Sequence, residues 1–144
     1  MIEFEVIGKP VGKGRPRFSG RNGVVRTYTP TTTTDYETEV AMAYKTAVKK
    51  ASMAEIPPYD KPLKIQIVAC YAIPQAFNRA KKEQALCEVF QPQTKPDIDN
   101  IIKIVLDGLN KVAYDDDKQI VEVYAVKRYG NVAKTIVTLS EFEE

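Results

Sequence analysis

The sequence predicts an α+β fold: a small mixed sheet, a long helix in the N-terminal half, a second helix carrying an acidic site, and a C-terminal β-hairpin. Three observations carry that expectation. Period-two alternation marks strands at both ends and in the middle of the chain. Apolar residues at helical spacing mark two helices between them. The resulting order (β, basic loop, α, β, short α, α, β, β) suits a sheet with helices on one face.

Ile2 to Ile7 alternates Ile2, Phe4 and Val6 with Glu3 and Glu5, as a half-buried strand does. Gly8 to Pro30 is rich in Gly, Pro and Arg, with Gly20-Arg21-Asn22-Gly23 as a turn between two short extended pieces. After a threonine run, Asp35 is placed to cap a helix from about Tyr36 to Ala51, striped by Val40, Ala43, Tyr44, Ala47 and Val48. Prolines from Pro57 to Pro62 end that helix. Leu63 to Ile73 reads as a long strand with Leu63, Ile65, Ile67, Ala69, Tyr71 and Ile73 on one face. Gln75 to Lys95 reads as a short amphipathic helix on flexible hinges. Its Arg79, Lys81 and Lys82 form either a mobile basic lip or a solvated helix face. A helix from about Ile98 to Lys111 follows, with Ile98, Ile102, Val105 and Leu109 on its apolar stripe. Lys118 to Arg128 is a strand, Gly130-Asn131 a two-residue hairpin turn, and Val132 to Leu139 the antiparallel return.

The 144 residues fit one domain, 1–144, with a core of its own. The N-terminal segment lacks the basic and apolar regions of a signal peptide, and no stretch approaches the ~18 apolar residues of a membrane span. The expected location is therefore the cytoplasm, with no membrane partner. Cys70 and Cys87 are too few for a disulfide framework and read as reduced packing thiols. Histidine is absent, which removes Ser-His-Asp triads, Cys-His dyads and the usual zinc sites together. Acid–base work falls to Asp, Glu, Lys, Tyr or metal-bound water.

Net charge is only +2, but it is unevenly spread. Val6 to Thr34 holds Lys9, Lys13, Arg15, Arg17, Arg21 and Arg26 and no acidic residue, whereas Asp97 to Asp117 holds six Asp against Lys103 and Lys111, net −4. A cationic surface around an anionic pocket suits a polyanion held at a metal site.

Lys95-Pro96-Asp97-Ile98-Asp99-Asn100 is the most informative run. Carboxylates this close raise one another's pKa and destabilise the fold unless a cation sits among them. Asp99, Lys103 and Asp107 lie at i, i+4 and i+8 on one polar face, and Asp115-Asp116-Asp117 occupies a turn that can fold back beside the helix. Asp97, Asp99 and one of the later Asp would then offer hard oxygens to Mg²⁺, which activates water and neutralises charge on phosphorus. Lys103 fits a clamp on the phosphate. Each piece also has a plain reading: Asp97 as a helix cap, Asp99–Lys103 as a surface pair worth ~0.3–0.5 kcal/mol, Asp115 to Asp117 as a solvated turn. Jointly these leave six Asp in a short stretch unexplained. An EF-hand is excluded, because Ile101-Ile102 stands where its loop needs ligands and a glycine.

Lys95 to Asn100, Lys103, Asp107-Gly108-Leu109-Asn110, Ala113-Tyr114 and Asp116-Asp117-Lys118-Gln119-Ile120 together resemble the signature of the RusA-type Holliday junction resolvases. Gly8-Lys9-Pro10, Gly12 to Arg17 and Thr29-Pro30 extend the resemblance over nearly the whole chain. It implies a Mg²⁺-dependent endodeoxyribonuclease of recombination and repair, with Mn²⁺ able to substitute. Its magnesium carboxylates fall on Asp97, Asp99 and Asp117, with Asp116 the fallback for the third, and its catalytic lysine falls on Lys103. It also implies a homodimer cutting a four-way junction by paired symmetric nicks. Candidate interfaces are the uncommitted apolar faces of Leu63–Ile73 and of the final hairpin.

The basic arm, with Phe18 and Tyr28 among its cations, suits phosphate contact and stacking on opened bases. Two rivals stand beside the nuclease: a non-catalytic binder of junctions or single strands, and a metal-dependent phosphodiesterase for small molecules.

Overall fold

The computed structural model describes residues 1–14, 17–21, 23–28 and 31–143, with only the backbone described at 17–19, 21 and 25–28. The elements in chain order are β1 (Ile2–Ile7), β2 (Arg17–Arg21), β3 (Val24–Tyr28), α1 (Thr31–Lys50), β4 (Leu63–Ala72), α2 (Arg79–Leu86), α3 (Ile98–Leu109), β5 (Ile120–Gly130) and β6 (Lys134–Glu141). Single turns of 3₁₀ helix lie at Met53–Glu55 and Asp117–Gln119.

Four strands form one mixed sheet in the order β1-β6-β4-β5. β6 runs antiparallel to both β1 and β4, and β5 runs parallel to β4. β2 and β3 form a separate antiparallel ribbon, turning where Gly23 takes φ +77°. The alternation read in β1 is realised strictly: Ile2, Phe4 and Val6 are buried and the residues between them exposed. Leu63, Ile65, Ile67, Ala69 and Tyr71 of β4 and Thr135, Val137 and Leu139 of β6 complete that inner face, against which α1 and α3 pack. The mixed α+β architecture is the one expected.

Three details differ. First, α1 starts at Thr31, and Asp35 lies inside it. The hydroxyls of Thr34 and Thr38 donate back to the carbonyls of Thr31 and Thr34 (2.9 and 3.0 Å), so the β-branched run is accommodated within the helix. Second, α3 buries Ile101, Ile104, Val105, Gly108 and Leu109, while Ile98 is exposed and Ile102 only half-buried. The stripe is rotated by about one residue from the predicted one, which leaves Asp99 and Lys103 exposed. Third, the C-terminal strand–turn–strand reversal exists, with β5 and β6 antiparallel, but β4 lies between them. The connection must cross two strand spacings, roughly 10 Å, and the two-residue Gly130-Asn131 turn is replaced by Asn131 to Ala133.

The α1–α3 seam is close. A Cβ at Gly108 would lie 3.0 Å from Val40 Cβ and 3.1 Å from the Glu37 carbonyl oxygen, so the missing side chain sets the helix separation. Tyr36 of α1 donates to Thr135 Oγ1 of β6 at 2.9 Å, tying helix to sheet across a buried pair.

Candidate active site

The acidic residues of α3 and of the turn after it are positioned by three supports. At the helix start, Pro96 and Asn100 receive the incoming N-terminal segment: the Lys13 amide donates to the Asn100 carbonyl at 2.8 Å. A Cβ at Gly12 would come within 2.6 Å of Pro96 Cβ. Only glycine lets the backbone pass there, and the root of the basic arm is thereby fixed at the mouth of the acidic helix. At the helix end, the fully buried Tyr114 donates its hydroxyl to the Leu106 carbonyl at 2.6 Å and folds the following turn back onto α3. Beyond it, the Gln119 amide nitrogen donates to the carbonyls of Tyr59 and Lys61 (2.8 and 3.0 Å). Tyr114 and Gln119, both part of the resemblance, thus have an evident mechanical role.

The six Asp divide into two sets. Asp107 is 3.0 Å from Lys13 Nζ, Asp115 is 3.6 Å from Lys111 Nζ, and Asp116 caps the 3₁₀ turn by accepting from the Lys118 amide at 2.9 Å. The Gln119 side chain completes Asp116's capping box. Among the described residues, the side chains of Asp97 and Asp99 have no ion-pair or hydrogen-bond partner, and that of Asp117 has no cationic one, facing the neighbouring Asp116 carboxyl instead. Asp97 occupies the N-cap of α3, yet its side chain makes no capping bond; only its backbone carbonyl serves the helix. The plain reading of Asp97 as a cap therefore fails, whereas Asp116, read only as part of a solvated turn, does act as a cap.

Asp117 sits among like charges. Partial burial, then Asp116 and Asp107, hold its carboxyl above the usual carboxylate range, and Lys103 opposes them. Asp116 is held below that range, first by the Lys118 amide. Burial, followed by the charges of Asp117 and Asp107, raises the Tyr114 phenol. The charges of Asp107 and Lys103 thus bear on Asp117, in keeping with a turn folded back beside the helix. Asp97 and Asp99 stand at its first turn. Among the described residues, no three acidic or thiol side chains are close enough as they stand to hold a metal ion. The donor chemistry nevertheless fits a hard divalent cation: three carboxylates with no cationic partner among the described residues.

Lys9 is exposed. Lys13 is not free: its ammonium bridges Glu37 of α1 and Asp107 of α3. Burial pulls its pKa down, but the bonds and charges of those two carboxylates outweigh this and leave it raised. Arg15 lies outside the described residues, as do Thr29-Pro30 and the side chains of Arg17, Arg21 and Arg26. Glu37 was not singled out in the sequence, where it is one acid in an ordinary helix. Asn110, quoted only as part of the resemblance and given no role there, has its Oδ1 buried with no partner among the described residues.

The structure thus sets an acidic helix beside the root of a cationic arm, on a mixed α+β sheet. The chain belongs to the Endodeoxyribonuclease RusA family, whose model matches residues 8–140. It is also 31% identical over 142 residues to the uncharacterized protein YqaN of Bacillus subtilis (strain 168), covering 97% of this chain and 96% of that one. Membership makes the protein an endodeoxyribonuclease, a hydrolase acting on DNA, in a family that acts on branched junctions. No helix among the described residues is long and apolar enough to cross a membrane.

Proposed function

We propose that this protein, acting as a homodimer, resolves four-way DNA junctions by Mg²⁺-dependent phosphodiester hydrolysis in recombination and repair. The observation that carries the reading is the division of the six Asp. Structure employs Asp107, Asp115 and Asp116, and leaves Asp97, Asp99 and Asp117, the three positions to which the resemblance assigns metal binding. Asp116, the alternative third ligand, is engaged as a cap, so Asp117 is the better candidate.

Asp97, Asp99 and Asp117 would hold the metal, and Mg²⁺, or Mn²⁺ in its place, would supply an activated water and charge neutralisation at phosphorus. Lys103, one turn beyond Asp99 and within electrostatic reach of Asp117, would place positive charge beside the phosphate oxygens. Lys9, Arg15, Arg17, Arg21 and Arg26 would lie along the DNA backbone. Lys13 is better assigned to the α1–α3 seam. Five phosphate contacts give a slope of log affinity on log salt of about −4 to −5 per protomer. For a second copy, Val121 and Val123 on one face of β5 and Tyr124 on the other, all exposed on an edge strand of the four-stranded sheet, offer a candidate surface.

The test is a synthetic four-way junction assayed with and without Mg²⁺. Asp97→Asn, Asp117→Asn and Lys103→Ala should each lower cleavage by roughly 100-fold or more while junction binding persists. Asp115→Asn should cut at close to the wild-type rate. Wild-type protein that binds the junction but leaves it uncut with Mg²⁺ would instead favour a non-catalytic junction binder, and cleavage unchanged in Asp97→Asn and Asp117→Asn would remove these carboxylates from the site.

A further inference from the structure

We propose that the cleft between α2 and the end of β5, walled by Phe77, Phe90 and Tyr129, receives an unpaired nucleobase of the DNA substrate. The inference rests on the nuclease reading above and adds to it a base-binding site outside the acidic helix.

The three rings stand 5.7–6.0 Å apart, centroid to centroid, all tilted or edge-on to one another. No ring covers another face to face, and Phe77, Phe90 and Tyr129 all remain half-buried. Edge-to-face contacts at this spacing are the ordinary packing of aromatic rings, and here the packed rings also border an open cleft of about 660 Å³, within the roughly 300–1,000 Å³ range of small-ligand sites.

The rest of the lining suits a nucleotide. Lys81 Nζ lies 4.1 Å from the Phe77 ring centroid and 5.8 Å from that of Phe90, so a cation stands over the aromatic wall. Gln84, Gln91 and Gln93 bring amide donors and acceptors able to meet base edges, and no carboxylate lines the cleft. Aromatic faces with a nearby cation and no negative charge are the usual means of holding single-stranded nucleic acid, where every base offers a π-face. The position fits as well. Gln91 also lines the adjoining cleft, which contains Asp97, Lys127 and Arg128. A base lodged among the rings would therefore lie on a surface continuous with the first turn of α3, where Asp97 and Asp99 stand.

Metal-free binding to an oligodeoxythymidine strand, compared with the same backbone bearing abasic sites, isolates the base from the phosphates. Wild-type protein should bind the thymidine strand roughly 5- to 100-fold more tightly than the abasic one. A Phe77→Leu/Phe90→Leu variant, confirmed folded by its melting curve, should lose that preference and keep its affinity for the abasic strand. Because the leucine variant could fail to fold, photo-cross-linking of wild-type protein to a 5-iodouracil strand provides a second measurement, expected to mark Phe77, Phe90 or Tyr129. Equal binding of the two strands, a preference surviving in the leucine variant, or cross-links only elsewhere would overturn the inference while junction cleavage stands. A change of oligomeric state in the leucine variant with base preference intact would assign the cleft to a protein contact and overturn it likewise. Failure to bind either strand or an intact junction would remove the nuclease reading and this inference with it.

Discussion

Replacing Lys13 with Met separates a DNA-contacting lysine from a structural one. The ammonium is 3.0 Å from Asp107 and also bonded to Glu37, with about 20% of the side chain exposed. At an effective dielectric near 20, a single pair at that distance attracts by about 5 kcal/mol. Taking the ammonium out of water offsets much of this, and burial is the largest single influence on Lys13. A net cost of about 1–3 kcal/mol is expected, because Lys13→Met leaves Glu37 and Asp107 facing one another across the seam with no cation between them. For a chain of this length that is a fall in Tm of roughly 2–12 °C. The assay pairs thermal melts of wild type, Lys13→Met and Lys13→Met/Glu37→Gln with the salt dependence of junction binding. The double variant should recover part of the loss, and the salt slope of Lys13→Met should equal that of wild type. A variant as stable as wild type whose slope is shallower by about 1 would refute the reasoning and return Lys13 to the phosphate-binding set.

Gly108→Ala opposes two effects: about 1 kcal/mol gained in helix propensity and about 1–3 kcal/mol of crowding against Val40 and the Glu37 carbonyl, 3.0 and 3.1 Å away. A net destabilisation of about 1 kcal/mol is expected, read as a Tm lower by roughly 2–4 °C; a more stable variant would mean that the seam yields. Stability should also fall at high pH. The Lys13 ammonium is raised above its ordinary 10.5, so its contribution is complete below that pH and is lost as pH climbs through the higher folded value. Burial raises the phenols of Tyr36 and Tyr44, and that of Tyr71 to about 12, so above pH 10 the unfolded chain ionises first and is favoured. Melts from pH 9 to 12 should show a steady decline, with the gap between wild type and Lys13→Met narrowing above pH 10.5; a constant gap would contradict the raised lysine.

Strands with one buried face could be read directly from the sequence, because alternation reports burial with little ambiguity. β1 and β4 are the examples, their apolar sets matching the buried ones except for Ile73, which lies just past the end of β4 and is half-buried. Helix limits were harder, since the start of α1 depends on threonine hydroxyls bonding back within the helix, which propensity counts against. The partner of β6 could not be read at all. A short link between two strands suggests adjacency, whereas insertion of β4 is decided by which strands best cover the helices. The acidic positions were evident as a group, but the distinction between employed and unemployed carboxylates was not. It depends on Lys13, Lys111, the Lys118 amide and Gln119, contacts that only the folded chain reveals.

The insertion of β4 between β5 and β6 bears on how the molecule is made. Both neighbours of β6 lie far back in the chain, β1 at its beginning and β4 in its middle, so the sheet cannot close through local pairing. Every acidic residue of α3 and its following turn has emerged by Asp117, yet the platform beneath them is incomplete until Lys134–Glu141 threads between β1 and β4. A nascent chain would thus remain unable to assemble its acidic centre until its final strand is synthesised, so capacity to engage DNA arrives late, all at once, rather than growing with the polypeptide.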